Sequence, residues 1–198
     1  MRRDTYSLLL AASIIPFSAT LSQANAAIVN GDFGTFVPSN GTGGGWTTSH
    51  IDGAGGWLYV GGSHGYVFAL NEAADPNSDP TIAQTVSGLT IGTTYRVEGE
   101  YSTLWVGGTG AVGFAAGYGS TVGFEAGPTV SWQPFSFEFT PTGTSEQIWI
   151  KGEYARTDYD FMVDNISISM IAVPEPSTYL AGLSALGMLG LFGWRNRK

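Results

Sequence analysis

The chain has no cysteine among its 198 residues. Without cysteine it cannot be held together by disulfide bonds, so its fold must depend on packing or on a bound ion. The absence also excludes thiol catalysis and every zinc site built from cysteine. The remaining routes to function are therefore binding surfaces and oxygen or imidazole chemistry.

Basic side chains are scarce between residues 27 and 172, where the only ones are Arg96, Lys151 and Arg156. The acidic side chains there number 14, which is the chain's 16 less Asp4 and Glu175, so acidic groups exceed basic groups by 11. Such a surface repels phosphates, which argues against a nucleic-acid partner. A neutral polysaccharide or calcium agrees better with this charge. An acidic surface that only keeps the protein soluble would explain it equally well.

Catalytic motifs are lacking as well. The segment 61–65 only resembles a Gly-x-Ser-x-Gly nucleophile elbow, because it is not set at a strand-to-helix turn. The glycine-rich stretches 41–45 and 107–123 lack the lysine and the helix of a phosphate-binding loop, so we predict loops there. We therefore predict a protein that is not an enzyme. A small hydrolase is the remaining catalytic alternative, since a glycosidase needs only two carboxylates across a cleft.

Residues 1–26 have the three parts of a secretory signal peptide. Arg2 and Arg3 form the positive start, residues 8–17 form the apolar run, and Ala24-Asn25-Ala26 is a small-residue cleavage site. A permanent anchor is the alternative, but the apolar run is short. The residues after Arg3 do not resemble a twin-arginine signal, so we predict general secretion.

Residues 173–198 combine three features in a fixed order. Pro174, Glu175 and Pro176 precede an apolar run of about 18 residues ending at Trp194, which as a helix would reach about 27 Å and span a thin hydrocarbon core. The basic residues at the end should stay on the cytoplasmic side of the membrane. These residues are Arg195, Arg197 and Lys198.

This order resembles the PEP-CTERM sorting signal of Gram-negative bacteria that make exopolysaccharide. The resemblance implies an exosortase as partner and a precursor anchored in the inner membrane by a transmembrane helix. It also implies a later location at the cell surface or in the biofilm matrix. An ordinary membrane anchor with a chance Pro-Glu-Pro is the alternative.

The central segment, residues 27–172, has the length of one domain. Glycine and proline punctuate it, and β-branched and aromatic residues alternate with polar ones, which is the pattern of short antiparallel strands. About nine strands in one domain predict an all-β fold, a β-sandwich or jelly roll. The predicted strands are 28–36, 56–60, 66–70, 81–87, 93–105, 111–116, 135–139, 147–151 and 161–171.

Three pieces of this domain resemble galactose-binding-like jelly rolls, which include many carbohydrate-binding modules. They are Ile28–Phe33 followed by Gly45-Trp46, then Ile82–Tyr95, and finally Phe161–Ile168. The resemblance implies a domain that binds a glycan. In such domains a structural calcium often lies between the opening segment and the closing strand.

Asp164 is the carboxylate that matches this calcium site. Gly34 stands where the family often has glutamate, which would remove one of the six to eight oxygens that calcium needs. Asp164 is in register with Ile166 and Ile168, so it points toward the core unless a bulge intervenes. A buried carboxylate needs a partner, and the alternative to calcium is hydrogen bonding to the first strand.

Other polar clusters are weaker candidates. His50, Asp52 and His64 lie on glycine-rich segments and have the chemistry of metal ligands, but their spacing aims them at no common point. We therefore predict polar loop residues without a function. The acidic segments 75–80 and 158–160 are predicted to be plain turns.

Aromatic residues give the strongest binding prediction. Trp46 and Trp105 fit a core, whereas Trp149 shares its strand face with polar Gln147 and Lys151. Sugar rings stack their C–H faces on such exposed aromatic rings, while nearby polar groups bind the hydroxyls. We predict an exopolysaccharide or another glycan as the ligand, with partial burial as the alternative for each residue. A structural or adhesive protein that binds itself or other proteins is the second hypothesis. The predicted glycan-binding residues are Trp57, Tyr59, Tyr66, Trp132 and Trp149.

Overall fold

The computed structural model describes residues 26–52, 55–71, 79–106, 113–152 and 159–172. Within these ranges the chain is entirely strand, turn and coil. The strands are β1 Gly41–Gly43, β2 Trp46–Ser49, β3 Gly56–Gly61, β4 Gly65–Leu70, β5 Thr81–Ser87, β6 Tyr95–Val106, β7 Phe114–Tyr118, β8 Thr121–Ala126, β9 Gln133–Phe139, β10 Ser145–Gly152 and β11 Tyr159–Met170.

Two antiparallel sheets form a jelly-roll sandwich, which confirms the predicted fold class. One sheet has six strands in the order β1-β2-β5-β10-β7-β8, and the other has five in the order β3-β4-β11-β6-β9. The alternation of apolar and polar side chains determines which face of a strand lies against the core. In β9, for example, Phe135, Phe137 and Phe139 are buried while the residues between them are exposed.

Aromatic side chains dominate the core between the sheets. Trp46 and Phe33 are completely buried, and their ring centroids lie 5.7 Å apart. Phe114 packs against Phe135 and Phe161 at centroid distances of 5.4 and 5.6 Å. Trp46 therefore lies in the core as predicted, whereas the side chain of Trp105 is outside the described residues.

The opening segment 28–36 is not a strand, which corrects the prediction. Asn30 and Phe33 have φ angles of 52° and 49°, which break an extended chain. The Asn30 side chain holds the resulting turns, because its Nδ2 donates to the carbonyls of Thr35 and Gly44 and its Oδ1 accepts from the Thr35 amide. This loop carries Phe33 into the core in place of a regular strand.

The two glycine-rich stretches are not simply loops, so that prediction was wrong in part. Gly41–Gly43 forms β1, and β7 and β8 occupy most of 114–126. Glycine is required at Gly117 because a Cβ there would lie 2.5 Å from Cζ2 of Trp149 and would clash with the Thr121 carbonyl. These glycines let strands pack closely against a large neighbouring ring.

Candidate functional site

The five aromatic residues predicted to bind a glycan are divided among three places. Trp57, Tyr59 and Tyr66 lie together on the β3–β4 hairpin. Trp132 lies beside His64, and Trp149 lies on the outer face of the six-stranded sheet. One common site made of all five residues therefore does not exist.

The first place is an aromatic wall formed by Trp57, Tyr59, Tyr66 and Phe36. The rings of Trp57 and Tyr66 are stacked at 4.0 Å with an interplanar angle of 1°, and Tyr59 meets Tyr66 at 5.0 Å. Phe36 approaches Trp57 edge-on at 5.4 Å. Tyr59, Phe36 and Tyr66 are 65%, 59% and 37% exposed, so the wall presents aromatic surface to solvent.

Register explains how this wall is built. Tyr59 is opposite Tyr66 and Trp57 is opposite Phe68, so the wall continues the core face of the five-stranded sheet beyond the core. The indole N–H of Trp57 donates to the Phe33 carbonyl at 2.7 Å, which ties the hairpin to the opening loop. Sequence reasoning missed Phe36 as a site residue because it placed this residue in a strand.

The second place is the indole groove, a depression of about 410 Å³ on the outer face of the six-stranded sheet. Trp149 forms part of its lining together with polar side chains from β2, β5 and β10. The prediction placed Trp149 on the polar face of its strand, and the structure agrees. Its predicted exposure was wrong, however, because the residue is only 7% exposed.

Small neighbours explain this burial. The indole of Trp149 packs with Ala83 and Ala115, and it lies against Gly117. Its N–H donates to the Gly119 carbonyl at 3.0 Å, and Nζ of Lys151 lies 5.2 Å from the ring centroid. The ring is therefore fixed as part of the groove lining and does not project into solvent.

The third place is a histidine cluster on the outer face of the five-stranded sheet. A bulge shifts the register between Asp164 and Ser167, and Asn165 has a φ of 53°. Asp164 nevertheless is only 1% exposed. Its Oδ2 lies 2.9 Å from Nδ1 of His64, and its Oδ1 accepts from the Asn165 amide at 2.8 Å. The predicted hydrogen bonding of Asp164 to the first strand was wrong.

His64, which was predicted to be a polar loop residue without a function, lies in the turn before β4 and makes several side-chain contacts. Its imidazole stacks on Trp132 at 4.0 Å, and its Nδ1 lies 3.8 Å from Oε2 of Glu100. Glu100 in turn accepts a hydrogen bond from the side-chain Nδ2 of Asn165 at 2.8 Å. Trp132 therefore covers His64 with one face, which links the turn before β4 to the segment before β9.

Burial raises the pKa of Asp164, and the hydrogen bonds from His64 and the Asn165 amide only partly oppose this. An acid whose pKa is higher in the folded state contributes stability below its ordinary value of 3.8, and this contribution is lost as the pH rises through the folded value. The wild type should therefore exceed Asp164→Asn in unfolding free energy by the largest amount at low pH.

We expect the difference in unfolding free energy between the wild type and Asp164→Asn to shrink as the pH rises from 3.8 through the raised pKa. Urea denaturation at a series of pH values measures it. Repeating the pair in a His64→Gln background shows whether the pH dependence belongs to the Asp164 carboxyl itself. A difference that grows with pH would contradict the assigned direction.

The closest side-chain contact of Asp164 is not of the kind that calcium makes. The nearest side-chain partner is an imidazole nitrogen, whereas calcium requires oxygen ligands. Among the described residues no group of three or more histidine, aspartate or glutamate side chains is arranged to hold a metal ion, and this includes His50, Asp52 and His64. Structural calcium stays a prediction from the family resemblance. Most of the acidic segment 75–80 lies outside the described residues, as does Asp158. Tyr159 and Asp160 begin β11, so the predicted turn at 158–160 was wrong for these two residues.

Residues 172–198 match the family model of the PEP-CTERM protein-sorting motif, which confirms that predicted feature. The motif implies that the chain is exported and processed by an exosortase. The described part of the chain contains no helix long and apolar enough to cross a membrane. The predicted transmembrane run and the signal peptide lie outside that part, apart from Ala26.

Comparison with curated proteins gave no match. Three solved structures are similar to parts of this chain. The CBM22-1–GH10 modules of endo-1,4-β-D-xylanase 10B from Clostridium thermocellum, solved with xylohexaose, are 12% identical over 65% of this chain, with a TM-score of 0.48. The present chain spans only 26% of that chain.

The other two structures are of similar size to the described domain. A putative sugar-binding protein from Bacteroides thetaiotaomicron is 10% identical, covering 73% of this chain and 99% of its own, with a TM-score of 0.49. The CBM22-1 xylan-binding domain of Xyn10C from Paenibacillus barcinonensis is 10% identical, covering 76% and 97%, with a TM-score of 0.48.

Proposed function

We propose that the domain binds a glycan at the aromatic wall, without catalysis, and that the ligand is an exopolysaccharide outside the producing cell. The observation that carries this proposal is the exposure of Tyr59 and Phe36, at 65% and 59%, at the two ends of a fixed aromatic array. A contiguous patch of exposed aromatic rings is more often a binding site than a surface without a function.

Rigidity favours the wall as a sugar platform. Trp57 is held by its hydrogen bond to Phe33 and by face-to-face stacking on Tyr66, so little conformational entropy is lost when a ligand binds. Sugar C–H groups pack on aromatic faces, and the hydroxyl of exposed Tyr59 adds a polar group beside them. Export of the protein through its sorting signal would bring this surface into contact with polysaccharide in the biofilm matrix.

Replacing Tyr59 with alanine should weaken glycan binding by about tenfold or more, which corresponds to about 1.4 kcal/mol or more. A panel of immobilised bacterial and plant polysaccharides, probed with the secreted protein, measures it. Ile91→Ala is the matched control, because Ile91 is 60% exposed and lies outside the wall. No retention of the wild type, or equal retention of Tyr59→Ala, would contradict the proposal. Hydrolysis of a polysaccharide by the protein would instead support the hydrolase alternative.

Self-association is the second candidate function. β3 is an outer strand of the five-stranded sheet as described, and it exposes Tyr59 and Val60, the latter at 41%. An exposed apolar edge strand can pair with a second copy. This hypothesis predicts concentration-dependent dimers in sedimentation that Val60→Lys removes. A strictly monomeric wild type would exclude it.

A further inference from the structure

The indole groove differs in charge from the rest of the domain. Acidic side chains outnumber basic ones by 11 between residues 27 and 172, yet the ten described residues that line the groove include one lysine and no acid. A depression on the outer face of the opposite sheet shows the contrast, because Glu98 and Glu100 line it. The groove is therefore an exception on an acidic molecule.

Lys151 supplies the positive charge of the groove. Arg96, the other basic residue in the described ranges, is neutralised by Glu138 at 2.6 Å. Lys151 forms no ion pair with a carboxylate of the described residues. Its Nζ lies 5.2 Å from the centroid of the Trp149 ring, so the indole holds the ammonium group at the groove.

The rest of the lining has the chemistry of a sugar site. Thr47, Ser49 and Thr81 contribute hydroxyl groups, and Gln147 contributes an amide. The Thr81 hydroxyl already donates to the Asp79 carbonyl at 2.9 Å and is left as an acceptor, whereas the other hydroxyl and amide groups can both donate and accept, as sugar hydroxyls require. The volume of about 410 Å³ lies within the range of roughly 300–1,000 Å³ that is usual for small-ligand sites.

We propose that the indole groove is a second glycan-binding site, which recognises a carboxylated sugar through an ion pair with Lys151. The uronate carboxylate contacts the ammonium group, and the sugar hydroxyls contact the threonine, serine and glutamine side chains. The inference rests on the proposed glycan binding for the class of ligand, but it uses residues separate from the aromatic wall.

The negative net charge of the domain limits how many charges the polysaccharide can carry. A densely charged polyanion is repelled by the acidic surface around the groove, whereas an isolated uronate in a mostly neutral polysaccharide brings only one charge. Close to Lys151 the local attraction outweighs the screened repulsion from more distant carboxylates. The groove therefore selects polysaccharides with sparse acidic residues.

Calorimetric titration tests the proposal with two probes. One is an otherwise neutral oligosaccharide that bears one uronic acid, and the other is the methyl ester of the same oligosaccharide. The wild type should bind the acid about tenfold more tightly than the ester. Lys151→Gln should remove this preference, whereas Lys151→Arg should retain it because the charge remains. Arg96→Gln is the control, since Arg96 lies in the opposite sheet beside Glu138, and it should leave the preference unchanged.

The proposals for the groove and for the aromatic wall can be contradicted separately. Tyr59→Ala should weaken binding to neutral polysaccharide and leave the preference for the acid over the ester intact. A preference that survives in Lys151→Gln overturns the groove proposal and leaves the aromatic wall untouched. Equal binding of acid and ester by the wild type, or binding of neither, also overturns it. Loss of the preference in a Lys151→Gln protein that melts as the wild type does supports it.

Discussion

A Gly31→Ala variant is expected to lose a large part of the stability of the domain. An added Cβ would overlap the Ile166 carbonyl oxygen and lie 2.9 Å from its carbonyl carbon. The obstacle is backbone, and it is fixed by the hydrogen bond from the Ile166 amide to the Gly31 carbonyl at 2.9 Å. Overpacking costs roughly 1–3 kcal/mol, and more where backbone must move, against a total of about 5–15 kcal/mol.

The consequence would extend to the aromatic wall. Gly31 ties the opening loop to the bulge in β11, and the same loop carries buried Phe33, whose carbonyl accepts the Trp57 hydrogen bond. Urea unfolding measures the loss of stability. Gly143→Ala is the matched control, because the nearest atom to its Cβ is 3.7 Å away and its φ is not positive. An unfolding midpoint of Gly31→Ala equal to that of Gly143→Ala would refute the steric argument.

A Glu175→Ala variant is expected to change location almost completely. The sorting motif covers 172–198, and Glu175 is its only carboxylate. Without this residue the exosortase should not process the chain, and the uncharged run before Trp194 would keep the precursor in the inner membrane. Intact mass and cell fractionation in an exosortase-containing host measure the outcome.

The wild type should give a shortened mass outside the cell, and Glu175→Ala a mass retaining the tail in the inner membrane. Glu146→Ala is the control, since it removes one carboxylate from the strand region without touching the motif. Release of a shortened Glu175→Ala protein would show that the motif is not the processing signal. A wild type that retains its tail would favour an ordinary membrane anchor.

Periodicity predicted the fold because it reports burial directly. In β9 the alternation of large apolar and polar residues coincides with alternation across the sheet, so both the strand and its core face could be predicted. The opening segment misled the same reasoning. Its apolar residues pack against the core from turns, and the positive φ angles of Asn30 and Phe33 leave no trace in a hydrophobic pattern.

The candidate site was harder to predict because it depends on register and on distant contacts. His64 and Asp164 are 100 residues apart, and the bulge after Asp164 separates this residue from Ile166, with which simple alternation would have placed it on the core face. Trp149 was assigned to the correct face, yet its burial depends on Ala83, Ala115 and Gly117 from neighbouring strands. The grouping of Trp57, Tyr59 and Tyr66 followed from their spacing along a short hairpin.

Affinity electrophoresis through gels containing the exopolysaccharide of the producing cell tests the central claim most directly. The secreted wild type should be retarded relative to a gel without polysaccharide, because the aromatic wall binds the polymer. A Phe36→Ala/Tyr59→Ala double variant, which removes the two most exposed rings of the wall, should migrate equally in both gels. Unretarded wild-type protein, or a double variant retarded as strongly as the wild type, would contradict glycan binding at this wall.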